Sequence, residues 1–380
     1  IELGKGDYHN KGKSVTKFTF DSRVTLIYKP HKFDLEHAFC KFIKWFNTLN
    51  INEVYTLECC KVHSCNDCGW MEYVDFSPCL TKDDVKKFYV RVGQLLCILY
   101  TLRANDFHYE NLIAKGDQPI LIDLETILGQ GRFCYNIKTC TAEQNAANLI
   151  NESVTKISLL PTKIFNLKNN KSVSIGGLNL IEGQELPFTS FYIENIITDE
   201  VQVVEKYVKT GKTFNNPVLN DEIINSGNYV FDIIFGFKQT YRWIIENRKK
   251  YLEKIKEIFS NCQYRLILKP TNTYNQILDT SFHPDLLHNG VDRFVYLHRL
   301  GLLLEKNKKI TKQRKLTKLE LIDLMNGDMP YFYSSATDKS LFDGDKNKVK
   351  NFYSKSTIDN IIKHIDTMSL KDLDWQVFFI

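Results

Sequence analysis

Three side chains stand out for their types and spacing. Asp106 and Asn111 are five positions apart in Asp106-Phe-His108-Tyr-Glu-Asn111, and Asp123 follows Asp106 by seventeen positions, opening Asp123-Leu-Glu125. Carboxylate and amide oxygens are hard donors of the kind Mg²⁺ takes, so Asn111, Asp123 and Glu125 are suitable metal ligands. A carboxylate such as Asp106 can also orient or deprotonate an attacking hydroxyl, and a lysine ammonium such as that of Lys29 neutralises nucleotide phosphates. Together these residues could move a phosphoryl group from ATP to a hydroxyl with the help of Mg²⁺.

Such groups need elements to position them, and the local patterns supply these in order. A loop with Gly4, Gly6 and Gly12 comes first. Residues 14–20 and 24–29 are rich in β-branched and aromatic side chains and are joined by Asp21-Ser22-Arg23, which predicts a hairpin ending at Lys29 before Pro30. Apolar residues at helical spacing predict a helix over 33–46, and Trp70 to Val74 reads as a short strand. Val85, Phe88, Val92, Leu95, Leu96, Leu99 and Leu102 share one face of a helix over 84–102, with Thr81 or Asp83 as its cap. After the Asp106–Asn111 loop, Leu112-Ile-Ala114 and Pro119 to Asp123 turn about Gly116-Asp117 as a second hairpin. The D-x₄-N spacing and the position of Asp123 match a kinase catalytic loop and metal aspartate. Three departures separate the chain from ordinary protein kinases. The histidine follows Asp106 instead of preceding it, Leu-Glu follows Asp123, and the first loop lacks a full G-x-G-x-x-G. Beyond residue 130 the reading is mostly helical, with one long helical pattern over 229–258 whose apolar side includes Phe231, Phe237, Tyr241 and Ile244.

The bulk composition agrees with a soluble globular protein. The chain has 380 residues, 43% of them apolar and 25% charged, and a net charge of +5 that fits ATP or an acidic peptide without calling for nucleic acid. The longest apolar run, near Leu95 to Tyr100, is far short of a membrane span, and no signal peptide is visible. Any membrane association is therefore expected to be indirect. The chain opens on Ile1 without an initiating Met, and Gly6-Asp7-Tyr8-His9, a stretch that looks functional, lies almost at its start, which suggests a fragment of a longer protein. Most of the ten cysteines are scattered singly, as reduced cytoplasmic thiols would be. Cys59, Cys60, His63, Cys65 and Cys68 crowd into one stretch. Zinc is one reading of it, and a cysteine-rich surface loop is the preferred one. The basic segment 306–315 reads most simply as a solvated loop or helix face, with a phosphate- or peptide-binding role as the alternative.

At this point the residues resemble a known family. Gly6-Asp7-Tyr8-His9 through Val15, Leu26-Ile-Tyr-Lys29-Pro30, Asp106 through Ala114, Leu121-Ile-Asp123-Leu-Glu125-Thr126, Ser153-Val154, Leu159-Leu160-Pro161, Arg265-Leu-Ile-Leu-Lys269-Pro-Thr271-Asn-Thr-Tyr274 and Gly327-Asp328-Met-Pro330-Tyr331-Phe332 are similar to the dehydratase domain of class II lanthipeptide synthetases. The motifs keep their order across nearly the whole chain.

The resemblance implies an α+β, lipid-kinase-like fold of two lobes. Residues 1–80 would form a β-rich N-lobe, and residues 81–380 a mainly helical C-lobe with family-specific additions. It implies phosphorylation of Ser and Thr in a ribosomally made precursor peptide with a leader, using ATP and Mg²⁺. Elimination to dehydroalanine or dehydrobutyrine would follow, in the cytoplasm, with a C-terminal cyclase domain in the full-length chain. Carried over by position, Lys29 contacts ATP phosphates and Asp106 is catalytic, with His108 beside it. Asn111 and Asp123 bind Mg²⁺ with Glu125 close by, and Asp7 and His9 share the site. Arg265 and Thr271 serve elimination. A guanidinium pairs bidentately with the departing phosphate, and a hydroxyl adds one hydrogen bond. Lys29 qualifies as the base for the α-proton only where desolvation or other cations lower its pKa. Lys269 stands where Arg is commoner, a change that could weaken phosphate binding without abolishing it. Glu72 through Val74 fall where a kinase hinge holds adenine. The alternatives are a small-molecule or lipid-type kinase without elimination activity, and a non-catalytic peptide-binding scaffold.

Overall fold

The computed structural model describes residues 1–4, 10–130, 141–166, 171–302 and 311–380. Asp7 and His9, and the first half of the basic segment 306–315, lie outside the described residues.

In chain order the elements are β1 (Thr16–Thr19), β2 (Thr25–Lys29), α1 (Asp34–Phe46), β3 (Val62–Ser64), β4 (Gly69–Glu72), α2 (Lys82–Thr101), β5 (Leu112–Lys115), β6 (Gln118–Leu121), α3 (Ala142–Asn151), β7 (Lys163–Asn166), β8 (Lys171–Ser174), β9 (Glu185–Glu194) and β10 (Gln202–Lys209). They continue with β11 (Val218–Leu219), β12 (Glu222–Ile223), α4 (Val230–Glu246), α5 (Arg248–Phe259), β13 (Gln263–Arg265), α6 (Thr271–Ser281), α7 (Gly290–Leu302), α8 (Thr311–Met325), β14 (Phe332–Ser335), β15 (Leu341–Asp343), β16 (Lys348–Val349), α9 (Thr357–Thr367) and α10 (Leu370–Phe379). The class is α+β: antiparallel strands lead the N-terminal region, and helices dominate later.

Two compact units are interleaved along the chain. The first is Ile1–Lys41, Lys61–Tyr73 and Glu253–Ile362, and the second is Phe42–Cys60, Val74–Leu252 and Lys363–Ile380. The first unit holds two four-stranded sheets, ordered β1-β2-β4-β3 and β13-β14-β15-β16. It also holds a helical cluster in which Tyr274 and Leu278 of α6, Leu297 of α7 and Leu321 and Leu324 of α8 are buried.

The second unit is built on α2. Thr81 and Asp84 close a reciprocal capping box, with each side chain accepting from the other's backbone N–H. The seven residues expected on one face are all buried, but so are Arg91 and Gln94, because α2 is covered nearly all round. Gln94 exchanges hydrogen bonds with the main chain of Tyr55 at 2.8 and 3.2 Å. Helix α4 packs against α2 through paired glycines. A Cβ at Gly93 would meet the Ile233 carbonyl oxygen at 2.0 Å, and one at Gly236 would meet that of Val90 at 2.0 Å. This approach selects the buried side of α4 as Ile233, Phe237, Thr240, Tyr241 and Ile244.

Two expectations need correcting. The pattern over 229–258 is not one helix. It breaks at Asn247, whose backbone leaves the helical region while its N–H and its Nδ2 both donate to the Trp243 oxygen. Phe231, expected on the apolar side, is exposed because the Gly236 face turns toward α2. The stretch beyond residue 130 is also less helical than expected. It contains the antiparallel pairs β7–β8, β9–β10 and β11–β12, whose short β-branched and aromatic runs lack a 3.6-residue period.

The crowded cysteine stretch divides. Cys60 is buried, with its Sγ toward the Leu121 oxygen at 3.6 Å, while Cys65 and Cys68 close the β3–β4 turn through a 2.8 Å backbone bond.

Candidate active site

Asp106, His108, Asn111, Asp123 and Glu125 come together in the second unit, on the loop between α2 and β5 and at the end of β6. The hairpin causes this. Leu112 pairs with Leu121, and the Ile122 N–H donates to the Asn111 oxygen at 3.1 Å, so Asn111 and Asp123 flank the open end of the two strands. The far end is pinned by Arg91 of α2. Its Nη1 binds the Asp117 carboxylate and main-chain oxygen at 2.8 and 2.9 Å, and its Nε donates to the Thr56 oxygen at 2.8 Å.

The loop itself is tied at several points. The Thr126 hydroxyl donates to the Asn105 oxygen at 2.7 Å, and the Phe107 N–H donates to the Ile157 oxygen at 2.9 Å over a buried Phe107 ring. Asp106 adopts a left-handed backbone, φ 69°, which aspartate tolerates better than most residues. The Asn111 side chain then bridges the loop. Its Nδ2 donates to the Asp106 oxygen at 2.7 Å, and its backbone N–H donates to the His108 oxygen at 2.9 Å. With the amide nitrogen so committed, Oδ1 is the atom of Asn111 suited to a cation.

His108 has a defined tautomer in its neutral form. Its Nδ1 accepts from the Glu110 N–H at 3.4 Å, which leaves the proton on Nε2, 3.8 Å from Asp106 Oδ1. Burial and the adjoining Glu110 carboxylate push the Tyr109 phenol up. Asp123 Oδ1 accepts the Glu125 N–H at 3.3 Å, a turn that sets the direction of the chain after the strand. The donor set of one amide oxygen and carboxylates suits Mg²⁺, which keeps several waters and takes few protein ligands. Among the described residues no group of three or more His, Cys, Asp or Glu side chains is arranged to hold a metal. A metal held by Asn111 and Asp123 would therefore rely on nucleotide oxygens and water for its remaining ligands. Val74, on the same unit, is buried.

Lys29, Glu72, Arg265 and Thr271 belong to the first unit. Lys29 is buried at the end of β2, opposite Gly69 of β4. Glu72 ends β4, and its carboxylate accepts the Lys61 N–H at 2.8 Å. Arg265 lies on β13, an outer strand of its sheet, paired with Tyr333, and its guanidinium sits 5.6 Å from the Tyr331 ring centre. Thr271 opens α6 directly after Pro270, which fills the N-cap position and brings no side-chain oxygen to it. The Thr273 N–H closes the first turn on the Pro270 oxygen at 2.9 Å.

Two site-supporting residues escaped the sequence reading. One is Arg91, which lies on α2 outside the apolar face read from the sequence. The other is Glu320 of α8, fully buried and paired with Lys269, so the ammonium expected to weaken phosphate binding is already matched by a carboxylate. A signal for Glu320 did exist. It shares a helical face with Thr317, Leu321 and Leu324, all buried.

A family model described as a domain of unknown function, DUF4135, matches residues 1–335. The chain is also 28% identical over 346 residues to the lacticin 481/lactococcin biosynthesis protein LcnDR2 of Lactococcus lactis subsp. lactis. That match takes in 86% of this chain and 35% of the relative, so the chain spans about a third of the length of the curated relative it matches.

Proposed function

The chain belongs to the DUF4135 family, a membership that with the lacticin 481 relative supports the resemblance to class II lanthipeptide synthetases, and we propose that it dehydrates Ser and Thr of a ribosomally made precursor peptide. The observation that carries this reading is the Asp106–Asn111–Asp123 arrangement at the open end of the β5–β6 hairpin. It supports a lipid-kinase-like site acting with ATP and Mg²⁺.

In the first half-reaction Asp106 orients the peptide hydroxyl and accepts its proton as the oxygen attacks the γ-phosphorus. The bond from that phosphorus to the ADP oxygen breaks. Asn111 and Asp123, with Glu125 near, would hold Mg²⁺, which supplies charge neutralisation on the phosphates. Lys29 adds a second positive charge there, and His108 presents its Nε2 proton toward Asp106. In the second half-reaction a base removes the α-proton, the C–H electrons become the Cα=Cβ bond, and the Cβ–O bond breaks to release phosphate. Arg265 and Thr271 stabilise that leaving group through a guanidinium pair and a hydroxyl hydrogen bond. Asp7 and His9 complete the proposed set of site residues.

The test is to incubate the chain with ATP, Mg²⁺ and the lacticin 481 precursor peptide and read the peptide mass. Loss of one water per modified residue supports dehydration. A stable gain of one phosphoryl group per residue points to a kinase without elimination. An unchanged mass with this and other Ser/Thr-rich precursors sinks both readings.

A further inference from the structure

We propose that Glu320 is a positioning residue for phosphate elimination, a carboxylate that grips the start of α6 on both sides of Thr271. The inference rests on the dehydratase reading and adds to it a residue outside the motifs that suggested that reading.

Glu320 is fully buried on α8, and its Oε1 accepts hydrogen bonds from both Lys269 Nζ and Tyr274 OH, the latter at 2.6 Å. Lys269 lies just before Pro270 at the N-cap of α6, and Tyr274 lies one turn inside the helix. The same ammonium sits 5.7 Å from the Tyr274 ring centre, so the three groups form one compact knot. Thr271 is enclosed in sequence by the two residues that the carboxylate holds. The helices beneath are locked together by Tyr274, Leu278, Leu297, Leu321, Leu324 and Met329, so α8 presents the carboxylate from a packed core. A second tie runs parallel: Arg293 of α7 donates to the Leu324 and Met325 oxygens of α8 at 2.9 and 2.8 Å.

The electrostatics make the clamp directional. Glu320 Oε2 has no hydrogen-bond partner among the described residues, so the buried charge depends on Lys269 for compensation. A buried carboxylate with one cation strongly resists losing it. Lys269 is therefore held in place, although a third of its side chain is exposed. The start of α6, where Thr271 follows Pro270, is held between Lys269 and Tyr274. Placing one hydroxyl against a leaving phosphate requires this kind of restraint, because small displacements of a catalytic group cost large factors in rate.

The experiment compares wild type with Glu320→Gln, Lys269→Met and Tyr274→Phe. Phosphorylation and elimination are followed separately by peptide mass, and amide hydrogen exchange is followed over residues 271–275. Glu320→Gln keeps an acceptor for Tyr274 but removes the charge. It is expected to slow elimination by roughly tenfold to a hundredfold, so that phosphorylated peptide accumulates, while phosphorylation stays close to the wild-type rate. Lys269→Met should do the same, and the double variant should be no worse than either alone. Tyr274→Phe leaves both charges in place and should give a smaller change of the same kind, which covers the case in which Glu320→Gln folds poorly. Equal slowing of both half-reactions, or dehydration at the wild-type rate, would overturn the proposal. If wild type never dehydrates a peptide, the dehydratase reading fails by itself. The exchange comparison still decides the clamp, since unchanged exchange at the start of α6 in Glu320→Gln also overturns it.

Discussion

The amide nitrogen of Asn111 donates to the main-chain oxygen of Asp106 at 2.7 Å, so the proposed metal ligand also holds the backbone of the proposed catalytic aspartate. Replacing Asn111 should therefore do two things at once. Asn111→Ala is expected to lower the rate of ATP-dependent phosphorylation by roughly a hundredfold and to raise the Mg²⁺ concentration needed for half-maximal rate. Initial rates measured across a Mg²⁺ series check both. A rate loss with an unchanged Mg²⁺ dependence would assign Asn111 to the loop and not to the metal.

Arg265 offers a cleaner separation. Its guanidinium sits near the Tyr331 ring on the first unit, whereas the Asp106 loop belongs to the second. Arg265→Ala is expected to leave phosphorylation intact and shift the product from dehydrated to phosphorylated peptide. Mass spectra taken over a time course distinguish that from a general loss of activity. Retained dehydration would remove Arg265 from the elimination step.

The approach of α2 and α4 makes a stability prediction. A methyl group at Gly93 or Gly236 would collide with backbone, which cannot rotate away as a side chain can. Either Gly93→Ala or Gly236→Ala should cost about 2 kcal/mol or more, even though alanine favours a helix. Thermal unfolding of the variants is the measurement. A melting temperature at or above wild type would show that the helices separate at little cost.

His364 predicts how stability follows pH. Burial, with the Arg103 guanidinium next and Lys156 also contributing, lowers its pKa from an ordinary 6.5 to about 4; Asp372 and Glu152 act in the opposite sense. The unfolded chain binds this proton more readily than the folded one. The contribution of His364 is therefore fully present above pH 6.5 and is lost as pH falls from there toward 4. The loss is at most on the order of 3 kcal/mol for a shift of this size. Denaturant unfolding at a series of pH values, for wild type and His364→Gln, should show a shallower acid slope in the variant. Equal slopes would assign the acid sensitivity to other groups.

Legibility followed the range of the interactions. The β1–β2 hairpin, α1, the capped α2 and the β5–β6 hairpin could all be read because alternation, helical period and a capping box are local features. The meeting of Asn111 and Asp123 was readable for the same reason, since a two-residue turn forces the ends of its strands together. The pairing of Lys269 with Glu320 joins residues far apart in the chain, and nothing near Lys269 announces it. Arg91 was hidden differently. It lies outside the apolar face that the helical period marks, and only the Thr56 main chain and the Asp117 turn packed around it reveal a buried ion pair. The break at Asn247 failed to register because neither glycine nor proline marks it.

The interleaving of the two units has a consequence for synthesis on the ribosome. The longest stretch of the second unit runs from Val74 to Leu252, with Lys363–Ile380 added last, whereas the first combines residues 1–41 and 61–73 with Glu253–Ile362. A nascent chain therefore holds β1 to β4 through the synthesis of residues 74–252 before the rest of their unit exists. Each unit waits for a later segment, the first for Glu253–Ile362 and the second for Lys363–Ile380, and the contiguous stretch 74–252 can collapse while β1 to β4 still lack theirs. Chains arrested shortly after residue 252 should protect α2 and α4 from protease while residues 1–41 are still cut.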